Sequence, residues 1–396
     1  MITLALNAGS SSLKYSVLDT KREETLIEGR VERINTGSPE GQIVLDGEKQ
    51  LFTLEEDSHK CAVVMVFEKI NAYLAQSGQQ IEAVGHRVVH GGSLFSVPTR
   101  ITESVLSDIR SLSPLAPLHN PANADVIEVA LAEFPQLPHV AVFDTAYHQT
   151  ISEEVYRYAV PNEWYDQYQV RRYGFHGTSH SYVSRKAIET FNLSPENSNI
   201  IVAHLGNGCS ATAIHGGKSV DTTMGLSPLE GFVMGTRSGN VDPNLHSYIA
   251  AQAGLSLDEI TNILNKKSGI YALSGGESDM RNLQEMINRG DESAQRAESV
   301  FVYRLAKEIL GLMAALPGSL DVLVFTGGIG ENNSVIREKL CARLASLDIE
   351  LNLEENAIRS PEIRAISQPD SQLVAIIPTN EELEIAIQTE QVVTAV

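Results

Sequence analysis

Hydrophobic and polar positions alternate along the first stretch of the chain, over 2–7, 13–19, 24–34 and 41–46, and these segments read as strands. Apolar runs at 83–89, 138–143, 199–204, 211–215, 322–326 and 373–377 read as further strands. Apolar positions at helical spacing predict helices over 60–76, 123–134, 179–191, 243–253, 256–266, 293–316 and 334–347. The period is clearest over 293–316, where Ala297, Val300, Phe301, Arg304, Leu305, Glu308, Ile309 and Leu312 keep a 3.6-residue spacing. Pro317-Gly318 supplies its stop. Hairpins early in each half, followed by βα units, imply α/β layers and exclude a helix bundle or a β-sandwich.

One internal echo bears on domain organisation. A strand over 3–6 meets Asn7-Ala-Gly-Ser-Ser-Ser12 and returns over 13–19. About half a chain later, a strand over 199–203 meets His204-Leu-Gly-Asn-Gly-Cys-Ser210 and returns over 211–215. Duplicated domains would place such a pair there. Two ordinary Gly/Ser hairpins would look the same, and the residues alone leave both readings open.

Composition narrows the function classes. The 396 residues are 42% hydrophobic and 20% charged, enough for large cores and too apolar for wholesale disorder. Fifty acidic against thirty basic residues leave a formal charge of −20. Such a field disfavours nucleic acid and anionic lipid as partners, so a polyanion would have to be met by locally concentrated cations. Cys61, Cys209 and Cys341 form no CxxC, which argues against a disulfide framework and a zinc finger. The first residues read as a strand, since no cation precedes Lys14, and no apolar run reaches the roughly 18 residues of a membrane span. The expectation is a protein of the reducing cytoplasm, not bound to a membrane.

Three Gly/Ser turns follow strands, at 7–12, 205–210 and 327–333. Glycine lets backbone N–H groups approach an anion, serine adds hydroxyl donors, and a helix after the third turn would favour a phosphate. Together they point to a nucleotide. Standard nucleotide motifs are absent: a Walker A loop ending at Gly217-Lys218-Ser219 has Thr212 where it needs glycine, and a dinucleotide fingerprint at 328–333 has Asn333. His176 and His180 have the spacing to share a helical face, and an isolated hydrogen-bonded pair explains them as well as a metal site does. Nine of the eleven histidines fall between His86 and His215, mostly at strand ends and in Gly/Pro turns, where an α/β sheet builds its crevice. Arg87 follows an apolar strand, and Arg237 sits in a loop with glycine on both sides. A guanidinium fork suits carboxylate or phosphoryl oxygens, although a surface ion pair is the competing role. A carboxylate in Pro378-Thr379-Asn380-Glu381-Glu382 is either a helix N-terminal charge, the default, or an outer-sphere Mg²⁺ ligand.

These strings together resemble the acetate, propionate and butyrate kinase family. The resemblance is carried by Asn7-Ala-Gly-Ser-Ser-Ser-Leu-Lys14, His86-Arg-Val-Val-His-Gly-Gly92, Phe143-Asp-Thr-Ala-Tyr-His148, Tyr173-Gly-Phe-His-Gly-Thr-Ser-His180, His204-Leu-Gly-Asn-Gly208, Met234-Gly-Thr-Arg-Ser-Gly239, Phe325-Thr-Gly-Gly-Ile-Gly-Glu-Asn332 and Thr379-Asn-Glu-Glu382, in family order. It implies a duplicated ribonuclease-H-like α/β fold of the actin, Hsp70 and sugar kinase superfamily, with an interdomain cleft. The expected domains are 1–150 plus about 383–396, and 151–382. A homodimer and a cytoplasmic location are also implied.

The resemblance further implies site residues. Asn7 and Glu381 look like the Mg²⁺-linked pair, with Mn²⁺ an alternative metal. Lys14, the run His204, Leu205, Gly206, Asn207 and Gly208, the run Asp279, Met280 and Arg281, and the run Gly328, Ile329, Gly330, Glu331 and Asn332 look like the ATP/ADP contacts. Arg87, Asp144, His176 and Arg237 look like the catalytic set, with His119 close by. Val89, Leu118, Phe175 and Pro228 match the small apolar acyl pocket, where relatives that favour propionate tend to carry a smaller residue in place of Val89. The expected reaction is reversible phosphoryl transfer from MgATP to acetate, giving acetyl phosphate. The alternatives are a propionate or butyrate kinase, a nucleotide-gated binding protein of the same fold, and a NAD-linked dehydrogenase. The binding protein has no use for Arg87 and Arg237, and the dehydrogenase is disfavoured by Asn333. Many relatives carry aspartate where this chain has Asn240.

Overall fold

A computed structural model describes residues 1–395, which divide into two compact units, Met1–Gln149 with Asn380 onward, and Thr150–Thr379. The first unit holds an eight-stranded sheet. Its strands are β1 (Ile2–Gly9), β2 (Ser12–Asp19), β3 (Glu24–Glu32), β4 (Glu40–Leu45), β5 (Glu48–Thr53), β6 (Ala83–Val88), β7 (Thr99–Arg100) and β8 (His139–Phe143). They lie in the order β5-β4-β3-β2-β1-β6-β8-β7. β2 runs antiparallel to β1 and β3, whereas β6 is parallel to β1 and to β8. The central strands are buried on both faces, which explains their continuous apolar runs. The helix His59–Leu74 lays Val63, Val66, Phe67 and Ile70 against Leu4, Leu6, Tyr15 and Val17, and Phe67 stacks on Phe134 at 3.4 Å. The helix Glu381–Thr394 packs on β1, β6 and β8.

The second unit holds a six-stranded sheet of β9 (Asn199–Leu205), β10 (Cys209–His215), β11 (Lys218–Thr222), β12 (Val322–Thr326), β13 (Arg364–Ala365) and β14 (Val374–Ile376), in the order β11-β10-β9-β12-β14-β13. β10 is antiparallel to β9 and β11, and β12 is parallel to β9 and β14. The five strands β3-β2-β1-β6-β8 and the five strands β11-β10-β9-β12-β14 therefore share one order, with the first hairpin antiparallel and the next two strands parallel. Each sheet also ends in a short antiparallel strand. The fold is duplicated, and the two small-residue turns of the internal echo occupy equivalent places.

The helix Glu292–Leu312 buries Ala297, Phe301, Leu305, Ile309 and Leu312, and Asp291 caps its start through the N–H groups of Ser293 and Ala294. It ends earlier than the period suggests, because the chain tightens into a 3₁₀ turn at Met313–Ala315 before reaching Pro317. The glycine-rich segment after β12 also differs from the expected turn. It is itself a short helix, Gly327–Asn332, followed by a second at Ser334–Arg343.

Parallel strands deliver their carboxyl ends to one side of a sheet. In the first unit β1 ends at Asn7–Gly9, β6 at Arg87-Val88, and β8 leads into Asp144. In the second unit β9 ends at His204-Leu205, β12 at Thr326, and β14 leads to Thr379.

Candidate active site

Arg87 is the hub of the first unit. Its Nε and Nη2 donate to Oδ1 and Oδ2 of Asp144 at 2.9 and 2.6 Å, and its Nη1 donates to Asn7 Oδ1 at 3.1 Å. Asp144 is almost wholly buried, whereas the Arg87 side chain keeps 22% exposure. Burial works against the guanidinium charge, but Asp144, Glu381 and Glu382 outweigh it and raise its pKa. The result is a permanently charged fork held from behind by a bidentate carboxylate.

The backbone after Arg87 is held by the helix Asn120–Glu133. Val89 N–H donates to Asn123 Oδ1 and His90 N–H to Asn120 Oδ1, both at 3.1 Å. The amide groups of Asn120 and Asn123 donate in turn to the carbonyls of His90 and Ala8, at 2.9 and 2.8 Å. His119 stands half-buried at the N-cap of this helix. Val89 is buried and Leu118 is 60% exposed. Lys14 projects from β2 and forms an ion pair with Glu382 in the same unit. Asn380 caps the helix that begins at Glu381, accepting from Leu383 N–H.

In the second unit, His176 precedes the helix Gly177–Thr190 with a left-handed φ of 56°. A non-glycine residue held there stores strain, a common feature of functional positions. The segment before it is pinned: the N–H groups of Tyr173 and Gly174 both donate to the Gly225 carbonyl. Phe175 is buried. His176 stacks on His204 with centroids 4.3 Å apart. Arg237 Nη1 donates to the Pro228 carbonyl at 3.3 Å, and burial lowers its pKa. A Cβ on Gly208 would lie 3.3 Å from Arg237 Nη1 and 3.6 Å from the His176 ring, so this glycine keeps both side chains close to the turn. Asn240 accepts from Gly231 N–H and donates to Glu308 Oε1 at 3.0 Å, a bond that an aspartate facing Glu308 could not make.

A cleft of about 900 Å³ opens in this unit. Gly206 and Asn207 line it, as do Asp279, Met280 and Arg281, and Gly328, Ile329 and Asn332. Three segments far apart in sequence thus meet on one surface. Gly330 is buried below it. The Glu331 carboxylate turns to the N–H groups of Gly327 and Thr379, at 2.9 and 3.1 Å, and is not among the cleft lining. Gly327, at φ 76°, must be glycine: a Cβ would come 2.8 Å from the Leu205 carbonyl. Asp279 and Arg281 pair through two hydrogen bonds, which hold the Asp279 carboxyl near 2. Gln284, Asn333 and Arg359 also line the cleft. Sequence reading passed over them, since Gln284 and Arg359 look like ordinary surface residues and Asn333 drew notice only as a missing glycine.

The model of the acetokinase family matches residues 2–387. The chain belongs to the acetokinase family. Among acetokinase relatives, an acetate kinase of Deinococcus deserti is 50% identical over 400 residues, covering 100% of this chain and 98% of its own length. One of Deinococcus radiodurans is 49% identical over 394 residues, covering 99% and 98%. Two solved structures superpose on this chain along their length. The acetate kinase of Porphyromonas gingivalis has a TM-score of 0.93 at 40% identity, covering 99% of this chain and 100% of its own. A propionate kinase of Francisella tularensis has a TM-score of 0.91 at 42% identity, covering 98% and 99%.

Proposed function

We propose that this acetokinase transfers the γ-phosphoryl group of ATP to acetate, reversibly, giving acetyl phosphate and ADP. The observation that carries the reading is the Arg87 fork, charged and clamped by Asp144 at the ends of β6 and β8. Its place suits the carboxylate of a small acid. In the forward direction an acetate oxygen attacks the γ-phosphorus. That P–O bond forms, the bond to the bridging oxygen breaks, and its electron pair stays on ADP. Acetate is already ionised near neutral pH, so no proton has to move. Catalysis is then alignment and charge neutralisation. Arg87 holds the acid, and Asp144 orients Arg87. Arg237 and His176 neutralise the transferring oxygens, and the second-unit cleft holds the nucleotide through its three segments. Val89 and Leu118 are the apolar residues that the first unit offers to the methyl group.

Mg²⁺ is part of this reading, and the donors suit it. Asn7 offers an amide oxygen and Glu381 a carboxylate, hard ligands of the kind Mg²⁺ combines with substrate phosphates and water. Among the described residues no group of three or more His, Cys, Asp and Glu could cage an ion, so the metal would travel on the nucleotide. When bound it would offset the negative charge of the phosphates, with Asn7 and Glu381 as the residues that would hold it. A homodimer and a cytoplasmic location complete the reading. Sedimentation equilibrium tests the first.

The propionate kinase among the similar structures favours a second reading, in which propionate is the better acceptor. Acyl phosphate trapped as the hydroxamate from MgATP with acetate, propionate and butyrate separates them, with Arg237→Ala as control. Turnover greatest with acetate and lost in the variant supports the first reading. No acyl phosphate from any acid refutes both.

A further inference from the structure

Three histidines and three hydroxyls form one array in the second unit. His180 lies 6.5 Å from the ring of His176 and 6.3 Å from that of His204, which themselves stack. Ser210 Oγ sits between His176 Nδ1 and His180 Nε2, at 2.9 and 2.8 Å. Ser179 Oγ is 2.7 Å from His204 Nδ1. The Thr379 hydroxyl donates to Ser179 Oγ over 2.8 Å. Thr379 is itself fixed, because its N–H shares Glu331 Oε1 with that of Gly327.

Proton counting orders this chain. Ser179 is fully buried, so its own proton needs an acceptor. With Thr379 donating to it, His204 Nδ1 is the acceptor in reach. An imidazole accepting at Nδ1 carries its proton on Nε2. That edge faces the turn between β9 and β10: a Cβ on Gly206 would lie 3.8 Å from His204 Nε2, and one on Gly208 would lie 3.6 Å from His176 Nε2. Two stacked rings thus address one glycine turn, and two cationic rings stacked this closely would repel.

We propose that Ser179 and Thr379 are positioning residues for phosphoryl transfer, fixing His204 as the Nε2–H tautomer so that it donates a hydrogen bond to a phosphate oxygen at the Gly206–Gly208 turn. The role in transfer rests on the kinase reading above.

The test uses the full chain labelled with ¹⁵N-histidine, His204→Gln serving to assign the resonance. The wild type shows His204 with its proton on Nε2, with and without MgADP. Ser179→Ala and Thr379→Val give a mixture of tautomers and lose about 10- to 100-fold in kcat, with KM for ATP changed less than about threefold. Thr379→Ser restores both readouts, which a merely structural defect in the valine variant does not predict. A wild-type His204 protonated on Nδ1 overturns the proposal, as does Thr379→Val with tautomer and kcat unchanged. The tautomer is read without turnover. A wild type that makes no acyl phosphate therefore refutes the kinase reading, while the hydroxyl relay stands or falls on the spectrum.

Discussion

Both carboxylate oxygens of Asp144 are engaged by Arg87, Oδ1 by Nε at 2.9 Å and Oδ2 by Nη2 at 2.6 Å. A carboxylate so occupied, and almost wholly buried, is built to orient a guanidinium. The proposed chemistry has no proton for it to take.

Asp144→Asn separates orientation from proton transfer. The amide keeps one oxygen and turns an NH₂ group toward the guanidinium, which breaks the fork. Turnover with acetate should fall about 100-fold, the cost of a misplaced positioning group. The shape of the pH–rate profile should not change between about pH 6 and pH 9, and KM for ATP should stay within about threefold. Steady-state kinetics across pH checks this. A loss that follows the titration of a carboxylate would sink the orienting role.

Val89 tests the acyl pocket. It is 8% exposed and its N–H is held by Asn123, so its position is fixed from the backbone outward. Val89→Ala removes two methyl groups, room enough for the one extra methylene of propionate, which is worth about 1–3 kcal/mol of discrimination. The ratio of kcat/KM for propionate over acetate should rise by about 10- to 200-fold. The same change should cost about 1–2 kcal/mol of stability. A ratio that does not move would remove Val89 from the pocket.

Much of this architecture was legible in the residue pattern. The two Gly/Ser hairpins and the parallel strands stood out because central strands buried on both faces carry unbroken apolar runs. Arg87 and Arg237 stood out through their settings, a strand end and a pair of flanking glycines. Other features left no such trace. The helix Glu103–Ser111 buries only Ile109, too little for a period to show. Strand β5 is exposed along nearly its whole length and pairs at the sheet edge, so no alternation marks it. Asp279–Arg281 was found by resemblance alone, since its role depends on a cleft assembled from segments far apart in the chain. Arg337 reads as an ordinary polar position on a helix, yet it is 1% exposed.

Arg337 yields a prediction about the nucleotide cleft. Its Nη1 donates to the carbonyls of Gly330 and Glu331 at 2.8 and 3.0 Å, and its Nε and Nη2 bind Asn356. Among the described residues no carboxylate pairs with it, and burial lowers its pKa to about 10. It thus braces the end of the short helix whose Gly328, Ile329 and Asn332 line the cleft. Arg337→Met leaves those carbonyls buried without a donor and should cost about 2–5 kcal/mol. Arg337→Lys can reach part of the set, and should raise KM for ATP by about tenfold, or 1.4 kcal/mol, leaving KM for acetate within about twofold. Urea unfolding and initial rates check both. Equal changes in the two KM values would mean the brace does not act through the nucleotide.

His86 and His139 give the first unit a pH dependence whose sign follows from their hydrogen bonds. His139 Nε2 lies 3.1 Å from the Phe134 carbonyl, which can only accept, so Nδ1 is left to accept from His86 Nε2–H at 2.9 Å. His139 is therefore neutral in the folded chain. Burial lowers both pKa values from 6.5, with His139 adding to the depression at His86. Below the unfolded value the unfolded chain binds protons that the folded chain does not. Stability then rises with pH, by up to about 1.4 kcal/mol per pH unit for each ring. The contribution is complete above the unfolded value of 6.5 and is lost as pH falls toward the depressed folded values. Urea unfolding of the full chain between about pH 5 and pH 8 measures the slope. His86→Gln still donates to His139 Nδ1 but no longer titrates, so it should remove about half of the histidine-dependent slope below the unfolded value. A variant slope equal to that of the wild type would mean that His86 is already protonated in the folded chain.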